Sequence, residues 1–478
     1  MPAIRKKGFW VGLVLFFTIL VFPSPELLSP IGWKVAAVAV LMATFWATEA
    51  IPVAVTALFP LALFPLLGVA NFKESAIPFA NPNIYLFLGG FILALGIENS
   101  GLHKRMALRM IISIGTSGSK LVGGFMLVSA LISMWVMNTS TTLMLLPIGL
   151  AVCTVVSDTI PSLSDKEKKH FDIALMLGIA YAATIGGMST LVGTAPNIVF
   201  SAFMQETYGI EISMIDWMRL GVPVAICMII GAWVVLTKIV YPTNFIASIE
   251  TKAHLKDMLI KLGPLSKDET KVLVIFILAA SAWIFRTLLD NFQMLSGLTD
   301  AGIAIIAAIL LFMIPSSSQQ GDLLSWEKTN KLPWGLLLLF GGGLSLAAQI
   351  NSSGLGVWIG GALVSLSSVP PILLIMAVAT MIIFLTEITS NVATTSTFLP
   401  VFGAVAVSIG VLPVSLTIPV CLAASCAFML PVATPPNAIV YGSGKFTISQ
   451  MMKAGFILNI LGIFVVTFFA FFLAPTIF

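Results

Sequence analysis

Trp135–Pro147, W-V-M-N-T-S-T-T-L-M-L-L-P, and Thr389–Pro400, T-S-N-V-A-T-T-S-T-F-L-P, are two versions of one segment. Superposing Asn138 on Asn391 sets an offset of 253 positions. The same offset brings Pro147 onto Pro400 and the L-F-L-G-G ending at Gly90 onto the L-F-G-G-G ending at Gly343. It also brings Gly101-Leu102 onto Gly354-Leu355, so about 60 residues of the two halves align without a gap. A second pair follows: V-G-T-A-P-N at Val192–Asn197 and V-A-T-P-P-N at Val432–Asn437. Polar, Gly/Pro-broken segments at matching places in two apolar halves point to the substrate site of a secondary transporter.

Composition agrees. The 478 residues are 58% hydrophobic and 9% charged, with a mean hydropathy of +1.06. Soluble domains carry about 25% charge. Apolar runs near the ~20 residues needed to cross a bilayer recur along the chain, with room for roughly ten to twelve spans. The net charge of +4 gives no reason to expect a nucleic-acid partner. Cys153, Cys227, Cys421 and Cys426 lie in apolar segments without ligand-like spacing and read as small apolar fillers. His103, His170 and His254 fall in polar connections, which argues against a histidine proton relay or an H-E-x-x-H metal site. Residues 5–24 begin R-K-K and turn apolar as a signal peptide does, but no A-x-A-like site follows. An uncleaved first span is expected.

Apolar runs between polar breaks give spans near 8–24, 31–47, 53–71 and 83–102, then an interrupted stretch at 121–156. Next come 172–204 (broken at 193–197), 220–240, 272–290, 299–315 and 334–367. The last are 371–407 (interrupted at Ser390-Asn391), 413–444 (broken at 433–437) and 455–476. With a cytoplasmic amino terminus, and with both interrupted stretches entering and leaving by the same side, 19 of the 24 basic residues fall on inner loops. They run from Arg5, Lys6 and Lys7 through Lys104, Arg105, Arg109 and the lysines of 252–271, including Lys252, to Lys445 and Lys453. That bias is the positive-inside rule. It predicts an all-α integral membrane protein of about eleven spans plus two re-entrant helical hairpins, its carboxyl terminus outside and its two repeats inverted. The polar stretch at 249–270 reads as a cytoplasmic connector whose lysines are solvated.

At a helix break inside a membrane, backbone is satisfied only by protein or a wet cavity. The new helix N-terminus offers free N–H groups and a positive dipole end to a carboxylate. The carbonyls, hydroxyls and amide oxygens left over suit a small hard cation. Ser133 and Asn138 near Gly193-Thr194 form one such cluster, and Thr386, Ser390 and Asn391 near Ala433-Thr434 form the other. No intramembrane Lys or Arg stands near them, so a bound cation would have to neutralise the anion. Polar residues in spans also serve as helix glue, but the doubling of the pattern argues for a site. Glu49 and Glu387 are intramembrane acids and functional candidates; Glu387 is close enough to the second tip to brace it. The glycine clusters at 89–90 and 341–343 read as close helix packing or hinges, since no lysine follows at P-loop spacing.

M-N-T at Met137–Thr139, S-N-V at Ser390–Val392, G-T-A-P-N, A-T-P-P-N-A-I-V and W-A-T-E-A-I-P together resemble the divalent anion/sodium symporters, over nearly the whole chain. The resemblance implies an elevator-type homodimer that carries succinate, malate, fumarate, citrate or sulfate with sodium as the coupling ion and no other cofactor. By position it implies a first sodium site at Ser133, Met137, Asn138 and Gly193, and a second at Thr386, Thr389, Asn391 and Ala433. Substrate carboxylates would meet Asn138, Thr139, Thr194, Asn391, Thr434 and Pro435. It divides the chain into scaffold spans at 1–120, a transport-domain part at 121–240 and a cytoplasmic connector at 241–271. The second repeat then has scaffold spans at 272–370 and a transport-domain part at 371–478. Three departures stand out. Met137 replaces the serine of the family's first motif, and a thioether is a poor sodium ligand. Val392 replaces a threonine in the second, and Thr194-Ala195 stand for the usual Ser-Pro.

The expectation is therefore an inner-membrane, sodium-coupled importer of C4 dicarboxylates. A sodium-independent dicarboxylate exchanger on the same fold is the alternative that Met137 raises, and citrate or sulfate fits the same polar inventory. A membrane-embedded enzyme is disfavoured, because Glu49 and Glu387 are the only acids placed in spans near the motifs, the histidines lie outside the spans, and no D-D-x-x-D or G-x-G-D motif appears. A channel is disfavoured because inverted repeats with broken helices suit alternating access.

Overall fold

The computed structural model of the chain describes residues 3–114, 117–160, 163–245, 249–289, 291–295, 297–317, 321–362 and 368–478. The side chains of Arg5, Lys252 and His254, and residues 363–367 at the end of the span read at 334–367, lie outside that description. Helices make up the first half as α1 (Ala3–Val21), α2 (Pro30–Thr48), α3 (Phe59–Leu67), α4 (Pro82–Ser100) and α5 (Leu102–Ile114). Then come α6 (Gly118–Ser133), α7 (Asn138–Thr159), α8 (Asp165–Gly187), α9 (Ala195–Tyr208) and α10 (Met214–Val234). The connector is α11 (Ile249–Lys261). The second half has α12 (Lys267–Ile284), α13 (Asp300–Met313), α14 (Trp334–Ser352) and α15 (Leu355–Ala362). It ends with α16 (Pro371–Thr386), α17 (Asn391–Ser408), α18 (Val414–Ala424), α19 (Pro435–Tyr441) and α20 (Ile448–Phe472).

Among the described residues, eight helices are long and apolar enough to cross a bilayer, and five shorter apolar helices accompany them. Two of the short ones are α6 and α16, each 16 residues long. At 1.5 Å per residue they reach about 24 Å, less than the ~30 Å hydrocarbon core. Each halts at a four-residue turn, 134–137 or 387–390, and the chain returns as α7 or α17. These are the hairpins expected at the two interrupted stretches. The span read at 53–71 is instead two helices, Val53–Thr56 and α3. Pro60 sits in the first turn of α3, where its missing N–H costs nothing, so the helix restarts there. α1 is part of the fold, with Gly8 against Thr48 and Gly12 against Phe45 of an antiparallel α2.

The two halves are packed reciprocally. α8 lies on α6 and α7, as α18 lies on α16 and α17. After its break, each broken helix crosses to the other half: α9 packs on α17 and α18, and α19 on α7 and α8. α10 meets α20. Phe87 and Phe340, equivalent by the 253 offset, touch each other with ring centroids 5.1 Å apart. Contact between a residue and its own counterpart places it on the two-fold relation between halves. The glycine clusters are close-packing sites. A Cβ on Gly89 would lie 2.6 Å from the Ala304 carbonyl carbon, and one on Gly342 would collide with the Ala57 backbone. Arg105, read as an inner-loop cation, is buried: it donates to both Glu269 oxygens at 2.8 and 3.0 Å and to the carbonyls of Leu262, Gly263 and Pro264. It thereby fastens the connector's end to α12.

Candidate binding site at the helix breaks

The hairpin tips are built alike. Ser133 Oγ lies 2.5 Å from the Asn138 amide head, and Thr386 Oγ1 donates to Asn391 Oδ1 at 2.7 Å. Ser133 and Thr386 are fully buried behind the asparagines, so each tip holds its asparagine from within. Thr386 Oγ1 also stands 3.0 Å from the Ala424 carbonyl. Thr389 Oγ1 reaches back to the Leu385 carbonyl at 2.9 Å and pairs with Thr394 Oγ1 at 2.6 Å. Neither Met137 nor Ser390 caps its helix through its side chain, so the first N–H groups of α7 and α17 have no side-chain cap from these residues.

The breaks are held by the asparagines of the two P-N motifs. Asn197 Nδ2 donates to the carbonyls of Gly187, Met188 and Thr190, and Asn437 Nδ2 to those of Ala427 and Leu430. Each one gathers the carbonyls left over where its helix stopped. Hairpin and break are then tied together differently in the two halves. In the first, Thr190 Oγ1 donates to the Met134 carbonyl and accepts from Gly193 N. In the second, Glu387 accepts from the backbone N–H groups of Phe428, Met429 and Leu430 at 2.8, 2.9 and 3.0 Å, and from Asn459 Nδ2 at 2.7 Å. Glu387 therefore braces the second break. Glu49, by contrast, ends α2 in the left-handed region (φ 45°), which is costly for a residue with a Cβ.

Tips and breaks converge on one cavity of about 800 Å³. Met137, Asn138, Thr139, Gly193 and Thr194 line it from one half, and Thr389, Asn391, Ala433, Thr434 and Pro435 from the other. Ser133 and Thr386 stand one layer behind. Thr48, Glu49, Phe87, Phe91, Pro333 and Leu336 close the remaining wall from α2, α4 and α14. The N-termini of α7, α9, α17 and the short α19 all open onto this space, and Glu49 is the single ionisable side chain lining it among the described residues. Four positive dipole ends with no fixed cation suit an anion that brings its own counter-charge.

A family model described as the sodium:sulfate symporter transmembrane region matches residues 6–476. The chain belongs to this family. It is 40% identical to the sodium-dependent dicarboxylate transporter SdcS of Staphylococcus saprophyticus, over 98% of this chain and 91% of that protein. Its identity to SdcS of Staphylococcus aureus is 39%, with the same shares covered. Two solved structures share the fold: the YdaH transporter of Alcanivorax borkumensis (TM-score 0.57, 14% identity, 98% of each chain) and MtrF of Neisseria gonorrhoeae (TM-score 0.58, 13% identity, 98% of this chain and 95% of that one). The resemblance drawn from the motifs is thus borne out, and the chain is a membrane transporter and not an enzyme.

Several residues of this transporter's site had escaped the motif reading. Asn197 and Asn437 stand in the quoted P-N pairs, whose recurrence was the available signal for a role. Thr190 and Asn459 carry no such mark. The Ala183 carbonyl, 3.1 Å from the Asn138 amide head, is backbone and has no sequence signature at all.

Proposed function

We propose that this protein imports small divalent organic anions, C4 dicarboxylates such as succinate, malate and fumarate, coupled to sodium. The observation that carries the reading is the cavity in which both asparagine tips and both broken-helix N-termini meet. An anion there would take N–H donors from Asn138, Thr139, Thr194, Asn391 and Thr434 and pack against Pro435. Sodium would sit where oxygens gather behind the tips. At the first tip these are Ser133 Oγ, the Asn138 amide and the carbonyls of Ala183 and Gly193, so the thioether of Met137 is not needed as a ligand. At the second they are Thr386 Oγ1, the Asn391 amide oxygen and the Ala424 carbonyl, with Thr389 and Ala433 beside them. The staphylococcal relatives, named sodium-dependent dicarboxylate transporters, support both halves of the proposal.

The cavity lies between the hairpin-bearing helices and a wall of α2, α4 and α14, the boundary at which an elevator would carry its load. We take the former as the mobile part and the latter as scaffold. The lysine bias supports a cytoplasmic amino terminus, and the family resemblance supports a homodimer. Uptake of labelled succinate into proteoliposomes tests the function. It should require an inward sodium gradient and should be lost in both Asn138→Ala and Asn391→Ala. Gradient-independent uptake that needs internal dicarboxylate would establish the exchanger that Met137 raises and overturn the symport reading.

A further inference from the structure

The 253 offset also pairs Gly101-Leu102-His103 with Gly354-Leu355-Gly356, and at the third residue the two halves part. His103 is buried, and its Nδ1 lies 3.1 Å from the Ile97 carbonyl oxygen. Burial pushes the imidazole below its usual pKa, so the ring is neutral at pH 7. A carbonyl can only accept, so the proton is on Nδ1. Ser100 Oγ donates to the same carbonyl at 3.1 Å. The equivalent carbonyl in the second half, that of Ile350, receives neither bond. Gly356 has no ring to offer, and among the described residues Ser353 Oγ, the counterpart of Ser100, is buried without a hydrogen-bond partner.

A second cavity, of about 90 Å³, lies where a ring at position 356 would go: Gly356, Ile350 and Ala404 line it. A Cβ on Gly356 would stand 3.2 Å from Ala404 Cβ and 3.7 Å from the Ile350 carbonyl oxygen. Thr207 of α9 closes the far side, and its Oγ1 is likewise buried without a partner among the described residues. The hollow thus offers a carbonyl that lacks the side-chain donors of its counterpart and a hydroxyl that lacks an acceptor. Dry cavities of about 150 Å³ accept benzene, so this volume suits a five-membered ring. We propose that the cavity is a binding site for small neutral azoles, rings with one N–H and one bare nitrogen, seated as His103 is seated in the other half. The N–H donates to the Ile350 carbonyl, and the bare nitrogen accepts from Thr207 Oγ1. The walls come from α9 and α17 on one side and from α14 and α15 on the other. An occupied cavity therefore bridges the boundary between mobile part and scaffold and slows transport, an effect that rests on the elevator reading above.

The probe is 4-bromopyrazole, whose bromine can lie at the cavity's lip between the exposed Val357 and Val407. Its binding to the full chain in nanodiscs is followed by ligand-observed NMR, and its effect is read as uptake of labelled succinate into proteoliposomes. Binding should saturate with a half-point of about 1 mM, which six non-hydrogen atoms can supply. Gly356→His brings a ring of its own, as the first half does, and should abolish binding. Thr207→Val keeps the shape of the wall and loses one hydrogen bond, so affinity should fall about 10-fold; it serves also if the histidine variant does not fold. In the wild type the azole should lower the maximal uptake rate and leave the succinate concentration for half-maximal uptake unchanged. Absence of saturable binding, or binding that Thr207→Val leaves unweakened, overturns the site. Competition with succinate would put the azole in the transport cavity and overturn it equally. Binding that responds to the variants while uptake stays at its full rate upholds the site and overturns the sliding boundary.

Discussion

Replacing Glu387 by glutamine measures how the second break is held. The carboxylate receives four hydrogen bonds in a site only 4% exposed: Phe428 N, Met429 N and Asn459 Nδ2 on one oxygen, and Leu430 N on the other. Glutamine keeps one acceptor oxygen and puts an NH2 group where the second was, so Leu430 N–H faces a donor. An orphaned buried donor costs about 1–3 kcal/mol. The bonds that remain lose their charge assistance, roughly halving each, which is partly offset because a neutral side chain is easier to bury. The balance is a loss of about 2–4 kcal/mol. Alanine orphans all four donors and should leave little folded protein. Three of the four cysteines, Cys153, Cys421 and Cys426, are buried, and Cys426 lies within the break itself. Thermal unfolding in detergent, read by a thiol-reactive dye, therefore reports on this region directly. The expected order of midpoints is wild type, then Glu387→Gln, then Glu387→Ala. A glutamine variant with the wild-type midpoint would refute the claim that the charge holds the break.

Gly342→Ala forces a Cβ into the Ala57 backbone, an overpacking that costs about 1–3 kcal/mol and should lower the same unfolding midpoint, whereas alanine at Gly361, with nothing within 4 Å, should not. Met137→Ser supplies a hydroxyl at the start of α7, where no side chain now caps the helix, and should add about 1 kcal/mol of stability. It should also lower the sodium concentration giving half-maximal uptake; an unchanged sodium dependence would mean the residue does not reach the first cation site. Asn83 Nδ2 donates to Gln205 Oε1 at 2.9 Å across the boundary between α4 and α9. Cysteines at these two positions, cross-linked by mercury, should stop transport reversibly if the boundary slides, and continued transport would argue against an elevator.

The parts of the site that could be read from the chain are those in which local chemistry conflicts with its surroundings. Asparagine and threonine runs inside apolar helices are costly, so N-T-S-T-T and the P-N breaks announce themselves, and the 253 offset locates both hairpin turns, 134–137 and 387–390. The partners that complete the site come from distant helices and show no such conflict. Asn459 looks like an isolated polar residue in α20 until Glu387 is seen against it. The second break is longer than the 433–437 motif suggests: α18 stops at Ala424, well before the P-P-N, and Glu387 and Asn437 supply hydrogen bonds that a continuing helix would have made itself. Arg105 reads as one more surface cation, and only the packing of α12 shows it buried against Glu269.

The two halves each lend a threonine-bearing break to the cavity, but they have drifted apart at its walls. Thr139 faces it from one side where Val392 faces it from the other, and Ala195 stands opposite Pro435. Two identical halves would have offered succinate two equivalent ways to lie, end for end. The divergence gives the two sides of the cavity unlike surroundings, so on the proposed dicarboxylate reading a hydroxyl added at one carbon of succinate would meet a different neighbour from a hydroxyl added at the other.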